Sequence, residues 1–78
     1  MEWLIRRRGM HMFMNRISFW MDQKGVKNKH LAKKCGVSET TFSKWRQNKT
    51  QPDLEAASQI AKVLGISVDD LIEWRDND

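Results

Sequence analysis

The sequence predicts an all-α domain of five short helices, and three observations lead to this prediction. Apolar residues recur three and four positions apart along most of the chain, which is the period of one helix face. Residues that favour helix starts precede these segments, and glycines follow several of them. No alternating run rich in Val, Ile or Thr competes for a strand assignment. The 78 residues suffice for one small domain with a single core.

The first two predicted helices are short, and a tight turn joins the second of them to the third. Asn15 is a favourable N-cap, and the first helix runs over 16–24 to a C-terminal Gly25. Its core-facing residues are Ile17, Trp20 and Met21. The second helix covers about Asn28 to Cys35. Its apolar stripe is Leu31, Ala32 and Cys35, and the tight turn follows at 35–38.

The third predicted helix has two different faces. It begins after Ser38, a hydroxyl cap, and its apolar Phe42 and Trp45 point inward. Because residues four apart share a face, small polar and charged side chains form the outer face: Glu39, Thr40, Ser43, Lys44 and Gln47. A helix with this division of side chains has the layout needed to lie in the major groove of DNA.

The last two predicted helices follow a polar loop. Asp53 caps the fourth helix, and Gly65 ends it. The residues spaced for burial along it are Leu54, Ala57, Ile60, Ala61 and Leu64. A capping-box pattern at Ser67 and Asp70 then predicts the start of a fifth helix. The apolar surface of that helix is expected from Leu71, Ile72 and Trp74.

Composition excludes several classes of protein. Hydrophobic residues make up 40% of the chain and charged residues 31%, which is typical of a soluble globular domain. Cys35 is the single cysteine, so we expect no disulfide within the chain and no metal site built on cysteines, and a reducing, cytoplasmic setting fits. His11 and His30 have no partner at metal-ligand spacing, so no metal is expected. No apolar run approaches the length of a membrane span. No phosphate loop, nucleophile–base pair or carboxylate dyad appears, so neither an enzyme nor a cofactor is expected.

Charge is divided unevenly along the chain. Residues 1–52 hold twelve Lys and Arg against three acids, a charge of +9. Residues 53–78 hold two Lys and Arg against seven acids, a charge of −5. A basic front and an acidic back favour a polyanionic partner on one face. A solvated surface with uneven charge gives the same pattern, so charge alone does not establish nucleic-acid binding.

Residues 1–14 form an N-terminal extension with three interpretations. An upstream start codon would leave them as a loosely ordered leader ahead of a domain that spans 15–76. Alternatively, Arg6, Arg7 and Arg8 form an arm that follows the phosphates or enters the minor groove. In the third interpretation Met10–Met14 form a short strand or an apolar contact with another subunit. The density of methionine and aromatic side chains favours partial packing over the arm, and the arm over disorder.

Five pieces of the sequence point, by their order and spacing, to one family. They are NRI at 15–17, HLAKKCGVS at 30–38, TTFSKW at 40–45, NKTQP at 48–52 and LEAASQIAKVLGISVDDLI at 54–72. Over about three-quarters of the chain, they resemble the Cro/cI-type helix-turn-helix domain, also called Xre-like or lambda-repressor-like. The resemblance implies that helices two and three form the helix-turn-helix, and that helix three, about Glu39 to Asn48, enters the major groove.

The resemblance also implies roles for individual residues. Contacts to base edges are expected from Glu39, Thr40 and Lys44. Contacts to the DNA backbone are expected from Asn28, Ser43, Gln47, Lys49 and Thr50. The chemistry agrees, because lysine can donate to guanine O6 and N7, and a threonine methyl can contact the thymine methyl. Cations in the following loop can neutralise phosphates.

Four positions depart from the family pattern. Lys27 stands where a hydroxyl or amide cap usually begins the second helix. Glu39 is an acid near DNA, which either accepts from cytosine N4 or serves only the helix dipole. Met21 and Arg46 occupy places where the family often pairs an arginine with a glutamate. We hypothesise an ion pair between Arg46 and Asp22. The alternative is that the Arg46 side chain is solvated or binds a phosphate.

The sequence therefore predicts a sequence-specific DNA-binding transcriptional regulator. We expect a repressor that binds a palindromic operator in double-stranded DNA as a homodimer, through the fifth helix with Trp74 or through the Met-rich leader. Two alternatives remain open. One is the antitoxin of a toxin–antitoxin pair, which also binds a toxin through residues 1–14 or the acidic tail. The other is a protein-interaction module that has lost DNA binding, against which the basic front half argues.

Overall fold

The computed structural model describes the backbone of residues 11–76 and the side chains of residues 13–74. The elements are β1 (His11–Asn15), α1 (Ile17–Lys24), α2 (Asn28–Cys35), α3 (Glu39–Arg46), α4 (Leu54–Leu64), a 3-10 turn (Asp69–Leu71) and β2 (Ile72–Asp76). Strands β1 and β2 form a two-stranded antiparallel sheet that joins the two ends of the described chain. The predicted arm at 6–8 lies outside the described residues.

The core takes a large apolar side chain from every helix. Four side chains, one from each helix, are wholly buried: Ile17, Leu31, Phe42 and Ile60. Burying a side chain of this size contributes about 1.5–3 kcal/mol relative to leaving it in water. No polar or charged residue among those described is buried. The core that joins the four helices therefore consists of apolar side chains.

The helix starts follow the predicted caps. Ser38 Oγ accepts a hydrogen bond from the backbone N of Thr41 at 3.0 Å. Asn15 Oδ1 accepts from the backbone N of Ile17 at 3.1 Å, although Arg16 is the residue that immediately precedes α1. Each of these bonds satisfies a first-turn N–H that has no partner within its helix. The predictions of helices one to four are confirmed to within two residues at each end.

The prediction of a fifth helix is wrong, and so is the all-α assignment that included it. The expected capping box does form: the backbone N of Ser67 donates to Asp70 Oδ2 at 3.0 Å, and the backbone N of Asp70 donates to Ser67 Oγ at 3.2 Å. It opens only the 3-10 turn, because the chain from Ile72 onward is extended and pairs with β1. Pairing with a strand distant in sequence has overridden a local helix signal.

Strand β1 lies in the Met-rich segment for which the sequence left three interpretations. The short strand considered there is present, and it pairs with β2 of the same chain. The register places Phe13 opposite Trp74, and their ring centroids are 5.2 Å apart in an edge-to-face arrangement. Such an aromatic pair contributes about 0.5–1.5 kcal/mol beyond the area it buries. The boundary drawn at residue 15 falls within this strand.

Burial along α4 differs from the prediction in its first turn. Leu54 is 79% exposed, whereas Ala56 is buried. Ala56, Ile60 and Leu64 are four residues apart and share the face that meets the core, and Leu54 projects away from that face. The prediction of burial is confirmed for Ile60, Ala61 and Leu64, and Ala57 is half-buried.

The turn between α2 and α3 requires a left-handed backbone at Gly36, where φ is 71°. The backbone N of Gly36 donates to the carbonyl of Lys33 at 3.1 Å, and that of Val37 to the carbonyl of Ala32 at 3.0 Å. A Cβ built on Gly36 would meet no heavy atom within 4 Å in the described part of the chain. Glycine is therefore favoured by the backbone angle and not by lack of space.

Candidate nucleic-acid interface

Helix α3 separates an apolar inner face from a polar outer face. Phe42 is wholly buried and Trp45 is 8% exposed, with their ring centroids 5.5 Å apart. On the other side Thr40 and Lys44 are exposed and lie one turn apart. Because the inner face is anchored in the core, the outer side chains can meet a ligand while the helix backbone stays in place.

The start of α3 is capped by Ser38. Besides accepting from the backbone of Thr41, the Ser38 hydroxyl donates to Thr41 Oγ1 at 3.1 Å. The exposed carboxylate of Glu39 lies in the same first turn, near the positive end of the helix dipole. Glu39 therefore has a structural role available to it that is independent of any base contact.

The end of α3 is a compact turn that presents Lys49 and Thr50. Gln47 ends the helix, and Asn48 adopts a left-handed backbone with a φ of 62°. The carbonyl of Lys44 accepts from the backbone N of Lys49 at 3.0 Å and of Thr50 at 3.4 Å. The exposed side chains of Lys49 and Thr50 are thereby held close to the C-terminal end of the helix that carries Lys44.

Arg46 ties the start of α2 to α1 and α3. Its Nε donates to Ser18 Oγ at 2.9 Å, and its Nη1 donates to Asn28 Oδ1 at 3.4 Å. Asn28 Nδ2 in turn donates to the carbonyl of Glu39 at 3.5 Å. The hypothesised ion pair between Arg46 and Asp22 is wrong, because the guanidinium bonds to Ser18 and Asn28 instead, and the Asp22 side chain is exposed.

The first turn of α2 has no side-chain cap within the described residues. Lys27 precedes the helix in an extended conformation, and its side chain accepts no hydrogen bond from the helix backbone. The first backbone N–H groups of α2 therefore depend on an acceptor outside the helix. A phosphate oxygen is a suitable acceptor at such a helix start.

The structure groups the predicted site residues around α3. The residues predicted to contact bases all lie exposed on α3: Glu39, Thr40 and Lys44. Those predicted to contact the DNA backbone lie at the start of α2, along α3 and in the turn after it: Asn28, Ser43, Gln47, Lys49 and Thr50. Of this second group, Asn28 and Ser43 are half-buried and the others are exposed.

Sequence reasoning missed a network of three amide side chains beside α3. The side chain of Asn48 pairs with the backbone of Asn15, which donates from its N to Asn48 Oδ1 at 2.7 Å and accepts from Asn48 Nδ2 at 3.3 Å. Asn15 Nδ2 donates to the carbonyl of Trp45 and to Gln51 Oε1, both at 2.7 Å. Gln51 Nε2 donates to Asn48 Oδ1 at 2.9 Å. The sequence held one signal for this network, which is Asn48 at the end of the predicted third helix. Asparagine tolerates a left-handed backbone and therefore often marks a turn at a helix end.

The described residues offer few other groups that could bind a metal ion or take part in catalysis. No group of three or more His, Cys, Asp or Glu side chains suited to a metal ion occurs among the described residues. Burial, with a smaller contribution from the nearby negative charge of Asp53, raises the pKa of the Cys35 thiol. The thiol is therefore protonated at neutral pH and acts as a small apolar side chain. In the described part of the chain, no helix has the length and apolar character needed to span a membrane.

A capped helix anchored in the core, a left-handed turn leading into it and a polar outer face together define a helix-turn-helix domain. The chain belongs to the Cro/C1-type HTH DNA-binding domain family, whose sequence model matches residues 16–77. The family resemblance found in the sequence is thus confirmed. Strand β1 lies ahead of the matched residues.

Three relatives place the chain among proteins of the same kind. An uncharacterized HTH-type transcriptional regulator of Methanocaldococcus jannaschii is 30% identical over 64 residues, which cover 82% of this chain and 97% of the relative. A regulator of the same description, derived from the SPbeta prophage of Bacillus subtilis, is 27% identical over 62 residues, or 80% of this chain and 57% of that protein. A crystal structure described as that of a candidate DNA-binding protein from Bacteroides fragilis matches with a TM-score of 0.76 and 37% identity, over 80% of this chain and all of that one.

Proposed function

We propose that the protein is a sequence-specific DNA-binding transcriptional regulator that inserts α3 into the major groove. The observation that carries the proposal is the division of α3 into a buried face, with Phe42 and Trp45, and an exposed polar face, with Thr40 and Lys44. The major groove is about 12 Å wide and admits one helix, whose outer side chains then reach the base edges. Membership of a DNA-binding domain family and relatives named as transcriptional regulators support this function.

The base edges are read by Glu39, Thr40 and Lys44 in this proposal. The ammonium group of Lys44 donates to O6 and N7 of a guanine. The methyl group of Thr40 contacts the methyl group of a thymine. The hydroxyl of Thr40 can donate a hydrogen bond to a base edge or accept one from it. Glu39 accepts from N4 of a cytosine, provided that the phosphates are far enough away not to repel it. All three side chains are exposed on the same helix, which supports a shared role.

The DNA backbone is contacted by residues at both ends of the helix-turn-helix in this proposal. The residues are Asn28, Ser43, Gln47, Lys49 and Thr50. Lys49 supplies a charge, and Thr50 supplies a hydroxyl donor from the same turn. At the other end, the uncapped start of α2 offers backbone N–H groups beside Asn28. Such contacts fix the register of α3 without carrying sequence information.

A homodimer on a palindromic operator completes the proposal. Its half-sites lie roughly 34 Å apart, and the dimer represses by occupying a promoter in the cytoplasm. Support comes from the sheet, where Phe13 is 40%, Ile72 36% and Trp74 59% exposed. These side chains share one face, because Phe13 is opposite Trp74 and alternate strand residues point the same way. Grouped apolar exposure of this kind marks interaction surfaces.

The same sheet face supports a second candidate function. An antitoxin would bind DNA through α3 and a toxin through the exposed sheet face or the acidic C-terminal tail. The chain would then occupy its sheet with a different protein instead of a second copy of itself. A protein-interaction module without DNA binding is disfavoured, because the exposed Lys44 and Lys49 keep the α3 surface basic.

Selection of bound DNA from a pool of random duplexes tests the proposed function most directly. We expect enrichment of one motif as an inverted repeat whose half-sites are about one helical turn apart. Enrichment of a single half-site would support specific binding and contradict the homodimer. Binding that falls with salt but enriches no motif would contradict sequence specificity, because the phosphate contribution alone is independent of sequence.

The site assignment is tested with Lys44→Ala on the enriched duplex. Loss of a base contact should weaken binding by about 1–3 kcal/mol, or roughly five- to 150-fold. Lys62→Ala is the matched control, because Lys62 is also exposed but lies on α4. If both variants lose the same small factor, the effect is one of net charge and Lys44 does not read a base.

A further inference from the structure

On the basis of the proposed DNA binding, we propose that Asn15, Asn48 and Gln51 form an amide clamp that positions the turn after α3 for phosphate contact. Asn15 ends β1, which precedes the residues matched by the family model. The other two members flank Lys49 and Thr50. The clamp thereby connects strand β1 to the turn that follows α3, although the strand is far from α3 in sequence.

The first step of the argument is the pairing of Asn48 with β1. Its side-chain amide engages both backbone groups of Asn15, at 2.7 Å for the N–H and 3.3 Å for the carbonyl. A side-chain amide used in this way replaces the backbone of a neighbouring strand. Asn48 also has the left-handed backbone that closes the turn after α3. One residue therefore sets the direction of the turn and attaches it to the sheet.

The second step is the side chain of Asn15, which joins three elements. Its Oδ1 accepts from the backbone N of Ile17 at the start of α1. Its Nδ2 donates to the carbonyl of Trp45 in the last turn of α3 and to the side chain of Gln51, each at 2.7 Å. The carbonyl of Trp45 also accepts from the backbone N of Asn48 at 3.0 Å, so the Asn15 amide adds a second bond to the acceptor that closes the turn.

The third step is that the turn has few other attachments. Lys49, Thr50 and Gln51 are all exposed, so no apolar side chain anchors the segment between Asn48 and Pro52. Within that segment, the backbone N–H groups of Lys49 and Thr50 bond back to α3, and the clamp supplies the connection to the rest of the protein. Ordering a loop before it binds reduces the entropy lost on binding and so increases affinity.

Asn48→Gly tests the clamp in the full chain. Glycine retains the left-handed backbone without strain and removes all the side-chain hydrogen bonds of Asn48. On the duplex enriched by the original protein, we expect affinity to fall by about tenfold. The slope of log affinity against log salt should decrease in magnitude by about one, because one phosphate contact is lost. The asparagine is a positioning residue in this proposal and need not touch DNA.

Two further variants separate positioning from a general loss of stability. Ser58→Gly is the matched control, because it places a glycine on the exposed side of α4, away from the clamp. It should reduce stability but leave affinity and salt slope unchanged at a temperature where the protein is folded. Asn15→Ser retains an oxygen for the N-terminus of α1 and removes the amide donor. Combined with Asn48→Gly, it should cause little further loss of affinity, because both changes act through one turn.

The outcomes distinguish the clamp from the proposed function. If folded Asn48→Gly binds the enriched duplex with unchanged affinity and salt slope, the positioning role is overturned. If the original protein enriches no duplex, the proposed function fails, and hydrogen exchange at the backbone N–H of Lys49 then decides whether the clamp orders the turn. Exchange accelerated by about tenfold in Asn48→Gly supports the ordering, and unchanged protection overturns it.

Discussion

The helix-turn-helix and the terminal sheet are stabilised in different ways. Leu31 and Phe42 of the helix pair are wholly buried, whereas the aromatic pair of the sheet, Phe13 and Trp74, remains 40% and 59% exposed. The common core therefore sets the position of α3. The sheet lies at the margin of the domain and is held by strand pairing and by the hydrogen bonds of Asn15 to the end of α3 and the turn after it. This difference implies that the sheet can open while the helices remain folded, and that loss of the core removes both.

The largest effect is expected from Phe42→Ala. Removing this wholly buried ring should lower the free energy of unfolding by about 3–5 kcal/mol, a large part of the roughly 5–15 kcal/mol typical of a domain. Urea unfolding followed by circular dichroism measures the change. Phe19→Ala is the matched control, because Phe19 is 43% exposed on α1 and should cost well under half as much. Equal losses would contradict the assignment of Phe42 to the centre of the core.

A smaller effect is expected from Gly36→Ala, which tests how far the helix-turn-helix depends on backbone geometry. A left-handed backbone at a residue with a side chain costs about 1–2 kcal/mol. Gly65→Ala provides the comparison, because Gly65 has a φ of 70° at the end of α4 and also has open space around it. The two variants should lose similar stability in thermal or urea unfolding. If Gly36→Ala left the free energy of unfolding unchanged, the turn would be able to relax to another conformation at little cost.

The sheet is tested by a double-mutant cycle on Phe13 and Trp74. The coupling free energy between Phe13→Ala and Trp74→Ala should be about 0.5–1.5 kcal/mol, as for other edge-to-face aromatic pairs. Hydrogen exchange in β1 and β2 should accelerate in each single variant, while the helical circular dichroism signal is retained. Loss of the helical signal together with the strand protection would contradict the separation of the two regions.

The same comparison explains which parts of the fold could be predicted from the sequence. Helices α1 to α4 follow from signals within each segment, such as the Ser38 cap and the spacing of Ile60 and Leu64. The segment after Ser67 carries an equally good local signal, and its capping box forms. Its later residues nevertheless pair with β1, at the other end of the described chain. A local pattern cannot report a partner so distant in sequence, so the fifth helix was predicted where a strand exists.

The features of the candidate site also divide into those that a local sequence pattern predicts and those that it does not. The outer face of α3, with Thr40 and Lys44, follows from helical periodicity, because the buried partners on the inner face are a few residues away. The partners of Arg46 and Asn48 do not follow from periodicity. Arg46 bonds to Ser18, 28 residues earlier, and Asn48 bonds to Asn15, 33 residues earlier. Side chains that connect elements across the fold are fixed by tertiary packing, which the sequence pattern does not encode.

The smallest effect is expected from Leu54→Ser, at a position where the sequence predicted burial. Leu54 is 79% exposed, so its replacement in a monomer should change the free energy of unfolding by less than about 0.5 kcal/mol. Leu64→Ser is the matched control on the same helix, and its 3% exposure implies a loss of several kcal/mol.

Protein concentration makes the Leu54 variant informative about the proposed homodimer. If a second copy covered the first turn of α4, Leu54→Ser would weaken the dimer, and its effect on the unfolding midpoint would change with protein concentration. We expect no such dependence for Leu54 across about a hundredfold range of concentration, and we expect one for Trp74→Ala if the sheet face joins the two copies. A dependence at Leu54 alone would move the dimer surface from the sheet to α4, because a side chain that the partner covers changes the association equilibrium and so the concentration dependence of the midpoint.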